Sequence, residues 1–164
     1  MAFKAMAIGR EALLAKLREV APLVEERVAA KKLEIAKEAA AVIAVNAPHR
    51  TGAYADSIRG GRQKDNPNID SFGHKKSKDP EAVGVYGSFI WRFLEFGTKA
   101  SPGWGPRPDR RFKKRTVMTV GRGPHPATPA QPHVFPTWRS MKPNAKRELN
   151  KTLYDAAREA LKGK

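Results

Sequence analysis

Residues 11–45 read EALLAKLREVAPLVEERVAAKKLEIAKEAAAVIAV, and this stretch decides the fold class. Leu13, Leu17, Val20, Val24, Val28, Ile35 and Val42 recur at spacings of four, three, four, four, seven and seven, one apolar stripe at helical period. Pro22 interrupts it. A proline inside a helix forfeits one hydrogen bond and crowds the preceding turn, which predicts a kink there or two helices in succession. From Pro22 to Val45 the helix would run about 36 Å. Asn46 and Pro48 then supply a stop signal.

Outward from this helix the pattern changes. Thr51 is placed to cap a short helical turn that buries Tyr54 and Ile58. Residues 59–80 are polar and aperiodic, which predicts a loop or the tip of a long hairpin. Ala82 to Tyr86 reads as a strand with Val83 and Val85 on one face. Phe89 to Phe96 is the most hydrophobic stretch, and its aromatics at 89, 91, 93 and 96 suit a strand or a short buried helix equally. Gly97 ends it. Residues 99–126 are rich in proline and glycine and hold eight basic residues. Such a segment buries too little apolar surface to offset its ordering entropy, so a long loop is expected, with 117–120 as a brief strand within it. A second long helix is expected to about Leu161, with Pro136 in its first turn, Pro143 as a break, and a stripe of Trp138, Met141, Ala145, Leu149, Leu153, Ala156 and Ala160.

The expected fold is therefore α+β: a long N-terminal helix, a small antiparallel sheet with long basic loops, and a C-terminal helix. Its 164 residues fit one domain, divided into a helical part (1–46), a turn and sheet core (47–98), the basic loop (99–126), and a proline-rich link with the last helix (127–164). Two long helices and a few strands leave much apolar surface for so short a chain, and burial against copies of itself would cover it.

Lys and Arg number 32 against 16 Asp and Glu, a net charge of +16. The surplus is uneven: residues 1–47 are net +2, 59–78 net +4, 99–126 net +7 and 139–164 net +5, while 79–98 are net −2. Positive charge gathered on loops and the last helix points to a polyanion, most simply nucleic acid. The absence of cysteine excludes disulfide and thiol chemistry. No membrane span is expected, since the longest uncharged run, Gly123 to Trp138, carries five prolines. Glu11 ends the opening run before any signal-like apolar region forms, so a soluble protein working inside a cell or a particle is expected.

Catalytic signatures are missing. There is no phosphate-binding G-x-x-x-x-G-K-[ST] loop. His49, His74, His125 and His133 lie in predicted loops without a carboxylate at ligand spacing, and read as solvated side chains. Glu95 is the one acid in an aromatic stretch, and a structural hydrogen-bonding role suits it better than acid–base work, because no partner carboxylate or nucleophile is near in sequence. The run Arg107 to Arg115, with Trp104 and Phe112 beside it, combines cations that can clamp phosphate with rings that can stack. No recognition-helix or RNA-binding signature accompanies the charge, so sequence-specific readout is not expected.

Four segments occur in a familiar order: Ala47-Pro-His-Arg-Thr-Gly52 followed by Asp56-Ser-Ile58, then Val83-Gly-Val85, then Phe93-Leu-Glu-Phe-Gly-Thr98, then Pro129-Ala-Gln-Pro132 before the terminal helix. The chain resembles the tail-completion or neck proteins of long-tailed bacteriophages and gene-transfer particles over residues 20–161. That family shows AP-x-x-TG-x-L-x-x-SI, Y-A-x-F-V-E-F-G-T and P-A-x-P-F segments in this order. Here Tyr54 replaces a leucine, Phe89-Ile-Trp91 replaces the tyrosine-alanine pair, and His133-Val134 precedes Phe135.

The resemblance implies a non-enzymatic virion protein without cofactors, assembled in the host cytoplasm and located in the neck. It would form a ring of six copies that completes the tail tube and joins head connector or stopper proteins to the tail-tube or tail terminator protein, with double-stranded DNA in its channel. Pro48, Thr51, Gly52, Ser57, Ile58, Glu95, Phe96, Gly97, Thr98 and Pro132 would hold the shape. Phe89, Trp91 and Phe93 are expected at subunit contacts. Lys99, Arg107, Arg110, Arg111, Lys113, Lys114, Arg115 and Arg122 are expected to face DNA or neighbouring rings. The alternative reading is a free, sequence-nonspecific architectural nucleic-acid-binding protein.

Overall fold

The computed structural model describes residues 10–73, 77–108 and 118–162. Helix α1 runs unbroken from Arg10 to Asn46, through Pro22, so the predicted kink or second helix is replaced by one rod of about 55 Å. Ala21, Pro22 and Leu23 are all exposed, which lets water serve the carbonyl one turn earlier that the proline cannot bond. The buried face of α1 also differs from the predicted stripe. It consists of Ile35, Ala36, Ala39, Ala40 and Ile43, leading to Ala47, whereas Val42 and Val45 are exposed. Small residues lie inward here because a strand backbone presses against the helix.

That strand is β1, Arg59–Arg62, in a region expected to be a loop or the tip of a long hairpin. It pairs antiparallel with β3, Val83–Gly87, from Arg59 opposite Tyr86 to Arg62 opposite Val83. A two-residue strand β2, Asp70–Ser71, pairs on the other side of β3, giving the order β1-β3-β2. An Arg-Gly-Gly-Arg segment carries no β-branched or aromatic signal, and its glycines are what allow the approach: a Cβ on Gly60 would lie 2.2 Å from the Ala36 carbonyl oxygen.

Between α1 and β1, helix α2 spans Ala53–Asp56. Gly52, at φ 76°, precedes its first residue, and no side chain caps it. Thr51 is exposed and is not the cap the sequence suggested. Tyr54 and Ile58 are buried, as expected for that turn. The aromatic stretch resolves as a turn followed by a short helix, α3, Trp91–Phe96. Helix α4 runs from Val134 to Lys162, straight through Pro143 without the expected break. It lies antiparallel along α1, as the pairing of Asn46 with Thr137, Lys31 with Glu148 and Arg27 with Glu159 establishes. Arg27 holds the Glu159 carboxyl below the usual range by hydrogen bonding and charge. The core gathers Ala40, Ile43, Ala47, Tyr54, Ala55, Ile58, Phe72, Trp91 and Val134 where α1, α2, the sheet, α3 and α4 meet.

Candidate functional site

The first amides of a helix have no partner within it, and here a side chain from another element supplies one. The Glu95 carboxylate, 3% exposed, accepts hydrogen bonds from the backbone N–H groups of His133 (2.8 Å), Val134 (2.9 Å) and Phe135 (3.0 Å). The next residue, Pro136, has no N–H to satisfy. A buried anion is expensive unless bonded, and this one is bonded three times at the positive end of a 29-residue helix.

The junction is tied at further points. Gln131 N–H donates to Leu94 O (2.7 Å), Thr98 and Thr128 exchange backbone bonds at 3.0 Å, and their hydroxyls bond at 3.0 Å. Gly97, at φ 70°, comes so close that a Cβ would sit 2.5 Å from Thr128 O. The Phe93–Thr98 and Pro129–Pro132 segments, distant in sequence, thus form one joint.

His133 is 3% exposed, contrary to its reading as a solvated loop residue. Its Nδ1 lies 2.8 Å from Gln131 O, which can only accept, so Nδ1 carries the proton. In the neutral ring Nε2 then accepts from the Tyr54 hydroxyl at 2.7 Å. Burial, reinforced by the nearby Glu95 charge, pushes the Tyr54 hydroxyl pKa well up and keeps it a donor. Replacing Tyr54 with Phe strands a buried acceptor and is expected to destabilise the fold by about 1–2 kcal/mol, read as a lower urea midpoint with an unchanged slope.

From the joint a two-stranded arm departs. Thr98/Thr128, Ser101/His125 and Trp104/Arg122 are each joined by a reciprocal pair of backbone bonds, and β4 (Arg107–Pro108) continues the same register against β5 (Met118–Thr119). Bonded pairs in a β-ladder recur every second residue. Here they recur every third, the repeat of polyproline II. Pro102, Pro106, Pro124 and Pro126 all fall at the positions between pairs, where no N–H is required. The segment expected as a loop is thus a stiff ribbon reaching about 30 Å from Thr98 to Pro108. The predicted 117–120 strand corresponds to β5. Lys99 and Arg122 are exposed along it, and Arg107 lies in β4. Arg110, Arg111, Lys113, Lys114 and Arg115 lie outside the described residues, between the arm's two strands.

The remaining motif residues have local roles. Pro48 is half-buried after α1, and Ser57 Oγ bonds Tyr54 O (2.6 Å) while accepting from Ser88 N–H (3.1 Å). Pro132 is exposed just before His133. Trp91, expected at a subunit contact, is 4% exposed and packs on Phe72, Phe96 and Phe135 inside its own subunit. Phe89 and Phe93 are on the surface.

A family profile described as "Bacteriophage HK97-gp10, putative tail-component" matches residues 11–97, from α1 to the glycine that ends α3. The chain belongs to this family of phage tail components. No curated protein and no solved structure is detectably similar to it. In this HK97-gp10-like protein the matched part comprises α1, α2, the three-stranded sheet and α3, while the arm and α4 lie beyond it. A tail component is part of the virion. No helix among the described residues is long and apolar enough to cross a membrane.

Proposed function

We propose that this tail component completes the tail tube and joins it to the head as a homo-oligomeric ring of six subunits around the DNA channel. Its neighbours are head connector or stopper proteins on one side and the tail-tube or terminator protein on the other. The observation that carries this reading is the arm. It is paired in one register, rooted in the Glu95 joint, and bears on residues 99–126 a net charge of +7. Of these cations Lys99 and Arg122 are exposed on the described strands. Repeated around a ring, the arm forms a positive collar suited to phosphate and indifferent to base sequence. Phe89 and Phe93 supply apolar surface for subunit contact. The role is mechanical, and no residue acts as a catalyst.

Imaging of intact particles with this chain located tests the position: the neck is expected, and any other location overturns the reading. The purified protein is expected to bind any duplex DNA at low salt. Changing Arg110, Arg111, Lys113, Lys114 and Arg115 together to Gln should reduce the slope of log affinity against log salt by up to about 4–5. Absence of binding at low ionic strength excludes the phosphate-facing arm.

A further inference from the structure

Helix α4 sorts its charges by face. Val134, Thr137, Ala145 and Ala156 mark the side buried against the body. Glu148, the one acid between Arg139 and Lys151, is turned to α1, where Lys31 lies 3.0 Å away, and Glu159 pairs with Arg27 of the same helix. Over residues 139–151 the opposite side carries Arg139, Lys142, Lys146, Arg147 and Lys151, all exposed, and no acid. At about 3.6 residues per turn, Arg139, Lys142 and Lys146 fall on one flank, Arg147 and Lys151 on the other, with Pro143 and Asn150 on the crest between.

These cations are not spent inside the subunit. Arg139, Lys142, Lys146 and Lys151 make no ion pair or hydrogen bond with any described residue, and Arg147 donates to the neutral Asn144 side chain at 2.7 Å. Their spacing works against the helix. Arg139 and Lys142 stand three residues apart, and Lys142 and Lys146, like Arg147 and Lys151, stand four apart. At these spacings like charges face one another and weaken a helix. A polyanion laid along this side turns the repulsion into attraction.

We infer that the outer side of α4 over residues 139–151 is a phosphate-binding surface for duplex DNA, distinct from the arm. It lies on the body of the subunit and needs neither the ring nor the arm. Composition selects a duplex over an acidic protein. Protein interfaces are depleted in lysine and centre on a buried aromatic or aliphatic anchor. Here three of the five cations are lysine, and the exposed positions among them, Ser140, Pro143, Asn144 and Asn150, offer no such anchor. Leu153 and Tyr154, exposed farther on, lie past the cationic stretch, and the tyrosine hydroxyl can itself donate to phosphate. Shape selects the same partner. A helix with its side chains is about 10–12 Å across and the major groove about 12 Å wide, so cations on two flanks reach phosphates of both strands.

The test uses the full chain and a short duplex of arbitrary sequence at low salt. With an amine-labelling reagent, Lys142, Lys146 and Lys151 are expected to react several-fold more slowly when the duplex is present, and Lys37, exposed on α1, equally fast with and without it. Arg139→Gln, Lys142→Gln, Lys146→Gln and Lys151→Gln combined should keep the wild-type circular dichroism and lower the slope of log affinity against log salt by about 3, in addition to any loss from the arm variant. Unchanged labelling in a protein that still binds the duplex, or an unchanged slope in the combined variant, overturns the inference and leaves the arm standing. A protein that binds no duplex overturns both. Labelling slowed as much by polyglutamate as by the duplex, at equal charge and salt, overturns the inference in favour of an acidic protein partner. A slope lowered by the α4 variant and not by the arm variant upholds the helix and removes the arm.

Discussion

Glu95→Ala is expected to lower the melting temperature by about 6–20 °C. The substitution removes an acceptor that serves three buried amides in succession. Each stranded N–H carries a desolvation cost of about 1–3 kcal/mol, partly relieved where water enters, so a total loss near 3–5 kcal/mol follows. For a chain of this size that corresponds to roughly 2–4 °C per kcal/mol. Glu95→Gln separates charge from shape. It keeps one acceptor oxygen but turns an NH₂ toward groups that also donate, and is expected to fall between wild type and alanine. Glu81→Ala is the control. That carboxylate is exposed, bonds Lys64 and Arg62 on the surface, and its removal should leave the melting curve within scatter.

The loss has a direction as well as a size. Glu95 is where α3 holds the start of α4, and the arm is rooted two residues farther on, at Gly97 and Thr98. Glu95→Ala should therefore loosen the link before α4 ahead of the sheet, and limited proteolysis at residues 124–140 should accelerate before global unfolding. A variant that melts and digests like wild type would mean that the three hydrogen bonds contribute nothing, and the joint would lose its place as anchor of the arm.

Much of this was legible in the sequence, and the failures are instructive. The end of α1 at Asn46, a strand over 82–86 and the final helix follow from period and stop signals, whereas the continuity of α1 through Pro22 does not. The inward face of α1 did not, because a stripe sought among Leu, Ile and Val passes over Ala36, Ala39 and Ala40, which are buried for their smallness. Helix α3 could not be separated from a strand by period, since two of its three aromatics, Phe93 and Phe96, face outward and its one acid faces inward. The arm reads as a loop in sequence because a segment so rich in proline and glycine buries too little apolar surface to offset its ordering entropy. A three-residue repeat of bonded pairs leaves room for proline, but the paired positions 98, 101, 104 and 107 are Thr, Ser, Trp and Arg and share no sequence signature. His133 had a weak signal: it stands immediately before the helix whose first amides Glu95 collects. Its burial depends on Tyr54, 79 residues earlier, and no local pattern encodes that contact.

The same contrast between small residues and ordinary signals makes Gly60 the most tightly approached glycine among the described residues. A Cβ there would lie 2.2 Å from the Ala36 carbonyl oxygen, 2.3 Å from its carbon and 2.4 Å from the Lys37 nitrogen. All three are main-chain atoms of α1, so no rotamer change gives relief. The strand must move off the helix by an ångström or more, separating β1 from the face on which the core cluster is built. Gly60→Ala is accordingly expected to cost more than about 3 kcal/mol, and Gly60→Val to leave no soluble folded protein. Gly123→Ala, where a Cβ meets nothing within 4 Å, is the matched control and should be neutral. A second substitution isolates the cause. If side-chain crowding were at fault, Ala36→Gly would rescue Gly60→Ala; because the obstruction is the carbonyl itself, no rescue is expected, and the double variant should be less stable still through the added helix glycine. Soluble yield and urea midpoints decide the matter: Gly60→Ala as stable as Gly123→Ala, or restored by Ala36→Gly, would show that the strand does not rest on the helix backbone.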